Sequence, residues 1–392
     1  MSARKFPRHL IVAYALGSQE PRLQPYKGLK IFFLRLLFPI LYMQWLTTQV
    51  RPITQPERYI QVSPHVRAAY LAQAILWERP NLAEMTADQI RRGEPTSLQP
   101  DQEVSCTYLY KTHKNLGGTS PKFECQGKNG KTYRIKYGLK AHTTVAASRL
   151  LWALGFGAAI STPVKVICAG CPLDPWNEPQ PIQEDTTFKE AVIQELKEGK
   201  EITIHGKAEI GWSWKKDLPL VSDAAGGATQ AQVDALKLIA VLIQEGDSKA
   251  VQQKLICRPA DYDSNSDECR KPYMYVYDLG NTFGSDGMRV HALNFEKWKR
   301  KSVFTDQTSC IGNLRQDVGN GRDGLTFPKI SEEGRRFLAD LLTQFLADRS
   351  RVVAMFEVAH IQMADHRHSA EDWADVFTAK AGEIINHPSC PK

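Results

Sequence analysis

The sequence predicts an α+β protein in two lobes, a small β-rich N-terminal lobe with one helix and a larger, mainly helical C-terminal lobe. Three observations predict it. Short β-rich runs separated by tight turns crowd residues 104–137, one apolar-periodic stretch follows at 143–154, and beyond residue 223 the strong periodicities are helical. Ser105-Cys-Thr-Tyr-Leu-Tyr110, Pro121-Lys-Phe-Glu-Cys125 and Thr132-Tyr-Arg-Ile-Lys-Tyr137 read as three strands. A Gly-Gly turn at 117–118 and Lys128-Asn-Gly130 join them into a small antiparallel sheet. Val145, Leu150, Leu151 and Leu154 then fall on a helical period, with threonines before them and Gly155 and Gly157 after, so this helix packs beside the sheet.

Residues 185–222 are charged and mixed, with a helix expected near 188–198, then Ile202-Thr-Ile-His205 and Gly211-Trp-Ser-Trp214, and read as a connector between lobes. In the larger lobe Gln230–Gln244 is apolar-periodic, and Tyr273-Met-Tyr-Val-Tyr277 reads as a buried strand. Ser331–Leu346 opens on an N-cap serine with two acids in its first turn, and a last helix covers roughly 370–386. Upstream, 51–103 reads as an accessory arm with a helix-like segment at 66–77. The divisions are therefore 1–50, 51–103, 104–222 and 223–392.

Composition bounds the function. With 392 residues, 42% hydrophobic and 24% charged, the chain is globular, which excludes a collagen, a coiled coil and a largely disordered chain. Fifty Lys+Arg against 43 Asp+Glu leave a net charge of +7, spread along the length. That suits a phosphate-bearing ligand or an anionic membrane and gives no argument for nucleic acid. The eight cysteines are Cys106, Cys125, Cys168, Cys171, Cys257, Cys269, Cys310 and Cys390. Disulfides in an oxidising compartment are the first reading and buried free thiols the second. The Cys168–Cys171 spacing also occurs in zinc sites and redox dithiols, but no second pair lies at ligand spacing.

Residues 31–46, IFFLRLLFPILYMQWL, are the most hydrophobic stretch, preceded by Arg22, Lys27 and Lys30 with no acid between Glu20 and Glu57. This is the charge pattern of an export signal or signal anchor, with membrane association through residues 29–46 and an extracytoplasmic location. Arg35 and Pro39 inside the run instead suit an amphipathic helix packed on a cytoplasmic domain. Translation from a non-ATG codon at Leu29 would make Lys30 the charged n-region.

A β-rich lobe with one helix, a connector and a helical lobe is the layout of a kinase. Phosphoryl transfer needs a cation on the nucleotide phosphates, metal ligands, and an acceptor for the attacking hydroxyl's proton. Lys136 ends the third strand, near a Gly117-Gly118-Thr119-Ser120 turn whose N–H groups suit phosphate oxygens. Asp247 follows an apolar helix, with Lys249 two residues on and Gln252 five residues on. Asp278 emerges where the strand at 273–277 ends and Leu-Gly-Asn-Thr-Phe-Gly284 begins, a setting that suits Mg²⁺. Taken singly, the lysine reads as a solvated edge residue and the Asp247 string as a polar helix end. Trp212, Trp214, Trp298 and Trp373 read as packing residues, and His360, His366 and His368 as solvated.

The blocks Gly118-Thr-Ser-Pro-Lys-Phe123, Arg134-Ile-Lys-Tyr-Gly138, Val145–Gly157, Gly246-Asp-Ser-Lys-Ala-Val-Gln-Gln253 and Asp278-Leu-Gly-Asn-Thr-Phe-Gly284 resemble a bacterial branch of the atypical kinases. That branch is related to phosphatidylinositol 3- and 4-kinases and HipA-type kinases, and the resemblance spans residues 104–386. It implies a protein kinase-like fold using ATP and Mg²⁺ on an unidentified hydroxyl of a protein, lipid or small molecule. Lys136 would bind nucleotide phosphates, Asp247 would be the catalytic aspartate, Lys249 would contact the transferred phosphate, and Asp278 with Gln252 would hold Mg²⁺.

Two positions depart from the family pattern: Thr144 stands where it has glutamate, and Gln252 where it has asparagine. No Asp or Glu lies between Glu124 and Asp174, so the helix beside the sheet offers no carboxylate to orient Lys136. Glu201 and Glu209 are the candidates to replace it. The extra methylene of Gln252 shifts its amide oxygen by about 1 Å, which costs on the order of 10²-fold in a geometry-critical site. A pseudokinase that binds nucleotide or a partner without efficient turnover is the alternative, and a redox or zinc protein centred on Cys168 and Cys171 is a third reading.

Overall fold

The computed structural model describes residues 53, 55–118, 120–284, 293–315 and 323–390. All lie in the compact unit that runs from Gln49 to Lys392. The export-like segment, Leu29 and Thr119 fall outside the described residues. In chain order the elements are β1 (Tyr59–Val62), α1 (Pro64–Ala72), α2 (Ala87–Arg92), β2 (Gln102–Tyr108), β3 (Lys122–Gly127) and β4 (Thr132–Lys136). Next come α3 (Leu139–Ala153), β5 (Ile160–Ala169), β6 (Asp185–Glu195), β7 (Lys200–Ile204), α4 (Gln230–Leu242) and β8 (Gln253–Cys257). The remainder are β9 (Tyr262–Asp263), β10 (Glu268–Cys269), β11 (Pro272–Val276), α5 (Phe295–Arg300), α6 (Glu332–Leu346), α7 (Arg349–Val358), α8 (Ile361–Ala364) and α9 (Ala370–Ile385).

The chain is a mixed α+β protein in which five strands close a barrel in the order β2-β3-β4-β6-β5. The β2–β3–β4 meander is antiparallel, as its turn residues predict. Closure comes from the parallel pairing of β2 with β5 and the antiparallel pairing of β6 with both β4 and β5. Val104, Phe123, Ile135, Val166, Phe188 and Ile193 fill the interior. The helix expected near 188–198 is a correction: residues 188–195 belong to strand β6, where Thr186 and Phe188, then Ala191 and Ile193 beyond a register irregularity, are buried and the strand pairs with β5 and β4 in the barrel wall. Rather than only connecting, residues 185–222 give β6 to the barrel and β7 to a second sheet.

That second sheet runs β1-β7-β8-β11. Every residue of β8 and β11 is buried. The segment before residue 104 is built into this sheet, since β1 pairs parallel with β7 at one edge. At the other edge Ile75 takes both main-chain groups of β11 that face it, donating to Pro272 and accepting from Met274. Below lie α4, α6, α7 and α9, whose apolar faces form one continuous core with α3. The four tryptophans are packing residues as expected: Trp212, Trp214, Trp298 and Trp373 are at most 2% exposed. Two of the three histidines depart from the solvated reading. His360 meets Asp101 at 2.7 Å, and His368 stacks on Phe295 and meets Asp365 at 2.7 Å.

All eight cysteines are paired, as Cys106–Cys125, Cys168–Cys171, Cys257–Cys269 and Cys310–Cys390. The Cα separations of 5.4–5.6 Å are ordinary for disulfides. This displaces both the free-thiol and the zinc readings. Among the described residues no helix is long and apolar enough to cross a membrane, and no cluster of metal-ligating side chains stands ready-made.

Candidate active site

Lys136 leaves the end of β4 with its side chain inside the molecule, 2% exposed. Its ammonium meets Asp278 Oδ1 at 3.0 Å. Glu201 does not supply the partner that the sequence reading sought. Glu201 is taken by Lys254 at 2.8 Å, and Glu209 acts on Lys254 and Tyr59. The reason is positional: β7, which carries Glu201, lies in the second sheet beside β8, and β4 lies in the barrel. Burial on its own would raise the Asp278 carboxyl; the Lys136 and Lys122 charges, with hydrogen bonds from Lys136 and the Gly280 N–H, hold it well below the usual carboxylate range.

Asp278 is placed by the loop behind it. Phe283, fully buried, inserts between Trp298, Phe356 and Trp373, and its N–H bonds Ile243 O at 2.6 Å. It does so with φ +55°, left-handed backbone that a phenylalanine adopts only when packing over-determines it. On the other flank Thr143 donates to Gly280 O at 3.0 Å, so α3 braces the same loop. Thr144, 1% exposed, turns its hydroxyl back to Lys140 O at 2.8 Å.

The Asp247 loop runs alongside. Gly246 N bonds Asn281 O at 2.9 Å, and Gln252 O accepts from both Tyr277 N at 2.8 Å and Asp278 N at 3.1 Å. Three main-chain hydrogen bonds thus knit the two polar loops, which brings together Asp247 and Asp278, 31 positions apart in sequence. Within the loop Lys249 Nζ lies 3.0 Å from Asp247 Oδ1, and Gln252 Nε2 donates to Asp247 Oδ2 at 2.8 Å. The Gln252 amide oxygen is buried and has no protein hydrogen-bond partner. A hard cation prefers oxygen donors of this kind, and with the Asp278 carboxylate on the adjoining loop it offers donor types that suit Mg²⁺.

Sequence reasoning missed Lys122. It stands directly opposite Lys136 across the β3–β4 pair, 7% exposed, and its Nζ donates to Gly117 O at 2.7 Å. The Lys128-Asn-Gly130 turn fixed that register and was the signal available. Burial pulls the Lys122 ammonium down to about 7, with Asp278 opposing and Lys136 adding to the shift. Gly117 and Gly118 are exposed and Ser120 is buried in the turn that Lys122 ties back; Thr119 lies outside the described residues. Below about pH 7, where Lys122 carries its proton, two buried lysines face one carboxylate and this end of the site has surplus positive charge, which suits a polyanion.

No known family model matches the sequence, and no curated protein matches it. Among solved structures the chain is similar to a Helicobacter pylori proinflammatory kinase, CtkA, with a TM-score of 0.37 and 11% identity over 73% of this chain and 99% of that one. It is also similar to a Golgi casein kinase with Mn and ADP bound, with a TM-score of 0.34 and 12% identity over 95% of this chain and 93% of that one. At these TM-scores the side chains of the cleft, not the likenesses, carry the functional reading.

Proposed function

We propose that the chain is an ATP- and Mg²⁺-dependent phosphotransferase of protein kinase-like fold, acting on a hydroxyl of a protein, lipid or small molecule. The observation that carries this reading is the 3.0 Å meeting of Lys136 from the barrel with Asp278 from the second sheet, beside a loop that presents Asp247. Lys136, with Lys122 across the strand pair, binds and orients phosphate oxygens. Asp278 and the free amide oxygen of Gln252 hold the metal, which when bound neutralises charge on the phosphates. Asp247 accepts the proton of the attacking hydroxyl at a carboxylate oxygen, and Gln252 and Lys249 orient it. The four disulfides support an extracytoplasmic site of action.

A second reading, nucleotide binding without efficient turnover, draws on one observation. α3 carries Thr144 in place of a carboxylate, and Lys136 is neutralised instead by the proposed metal ligand itself. The deciding experiment measures ATP binding with and without Mg²⁺, then γ-phosphate transfer, for the native protein, Asp247→Ala and Asp278→Ala. Transfer should vanish in both variants and on chelation of Mg²⁺. Binding without transfer in the native protein, persisting after Thr144→Glu and Gln252→Asn, would overturn the enzymatic reading.

A further inference from the structure

Tyr277 directly precedes Asp278, and three separate elements hold its polar groups. Its N–H donates to Gln252 O in the Asp247 loop at 2.8 Å, its carbonyl accepts from Gln194 Nε2 on β6 at 2.7 Å, and its phenol oxygen accepts from Arg134 Nη1 on β4 at 2.9 Å. Arg134 and Lys136 are two positions apart on one strand, so they share a face and grip consecutive residues, Tyr277 and Asp278. Arg134 is itself fixed, because its other guanidinium nitrogen bonds Glu124 at 2.9 Å, the residue directly opposite it on β3. The planar fork of arginine spans both partners at once, which a lysine's single ammonium does not.

We propose that Arg134 is a positioning residue: through Tyr277 it sets the seat of the barrel on the second sheet, and so the approach of Lys136 to Asp278. The proposal rests on the phosphotransferase reading for its catalytic meaning, but its geometry does not. One hydroxyl and one guanidinium form the outer jaw of a clamp whose inner jaw is the Lys136–Asp278 pair, with the Gln194 amide holding the Tyr277 carbonyl between them. Opening the outer jaw frees the barrel wall to tilt and exposes the Lys136 ammonium.

The test uses the full chain with Tyr277→Phe, Arg134→Met and the double variant. Each is acylated by an N-hydroxysuccinimide ester, and the rate at Lys136 is read by peptide mass spectrometry. Lys131, with a side chain 48% exposed, serves as the internal control on the same hairpin. Lys136 should label about tenfold faster in each single variant, the scale of one charge-assisted hydrogen bond. The double variant should label no faster than the singles, because both remove one contact. Should Arg134→Met fail to fold, Tyr277→Phe decides alone, since it removes a single oxygen. Unchanged protection of Lys136, or effects that multiply in the double variant, overturns the clamp. In turnover the outer jaw predicts a kcat about tenfold lower with KM for ATP unchanged. Faster labelling in a chain that never transfers phosphate keeps the clamp and removes the phosphotransferase reading; transfer with unchanged labelling does the reverse.

Discussion

Two buried lysines and one aspartate define the site, and the titration of Lys122 and Asp278 should be visible. Lys122 loses its proton at about 7 in the folded chain against an ordinary value of 10.5, so between those limits the unfolded chain binds more protons. Stability should therefore rise with pH from about 7 to about 10 in urea titrations. Lys122→Met should flatten that rise, and it should weaken nucleotide binding most at pH 6, where the native ammonium is intact. Asp278 gives a slope of the same sign in an acid window. Its carboxyl is depressed in the fold, so its contribution is complete above about pH 4 and is lost as the pH falls further. Asp278→Asn should lack this acid limb in the same titration. Removing the partner, as in Lys136→Met, should cost about 2–3 kcal/mol, below the range for a fully buried pair because the Asp278 side chain keeps 21% of its surface.

At the scale of elements, short-range patterns were legible and long-range ones were not. The β2–β3–β4 meander follows from turn residues adjacent to each strand, and α3, α4, α6 and α9 from helical periodicity. Strand β6 was hidden, because Phe188-Lys-Glu-Ala-Val-Ile-Gln-Glu195 mixes the helix formers Lys, Glu, Ala and Gln with strand formers and lacks a clean alternation, and barrel closure selects the strand. Lys136, Asp247, Lys249, Gln252 and Asp278 stood out by type and order, but the Lys136–Asp278 pairing depends on how barrel and sheet meet, which no local pattern encodes. Gly211 shows how closely the loop is held. At φ +59°, its Cβ would stand 1.7 Å from Ala250 O, in the loop carrying Asp247. Gly211→Ala should cost about 2–4 kcal/mol in urea unfolding and displace that loop, lowering transfer well beyond the loss of folded protein.

For the whole molecule, the disulfides are unequal. Cys310–Cys390 spans a separation of 80 residues and Cys106–Cys125 one of 19. By chain entropy the first constrains the unfolded state by about 4 kcal/mol or more and the second by about 3. The Cys310→Ser/Cys390→Ser variant should therefore show the larger fall in thermal midpoint, and the reduced protein a larger one still. Disulfides were the first reading of the cysteines, but eight cysteines allow too many connectivities for the sequence to choose among them.

The segment before residue 104 touches both margins of the second sheet, β1 lying along β7 and Ile75 along β11. Shortening the chain to the region resembling kinases would strip β1 from β7 and Ile75 from β11, leaving the β7 margin and the Pro272 carbonyl and Met274 N–H without their strand partners. Unpaired strand edges recruit other strands. A fragment starting at residue 104 should accordingly self-associate in light scattering where the longer chain stays dispersed, which makes the early segment a structural guard for the halves that meet at the cleft.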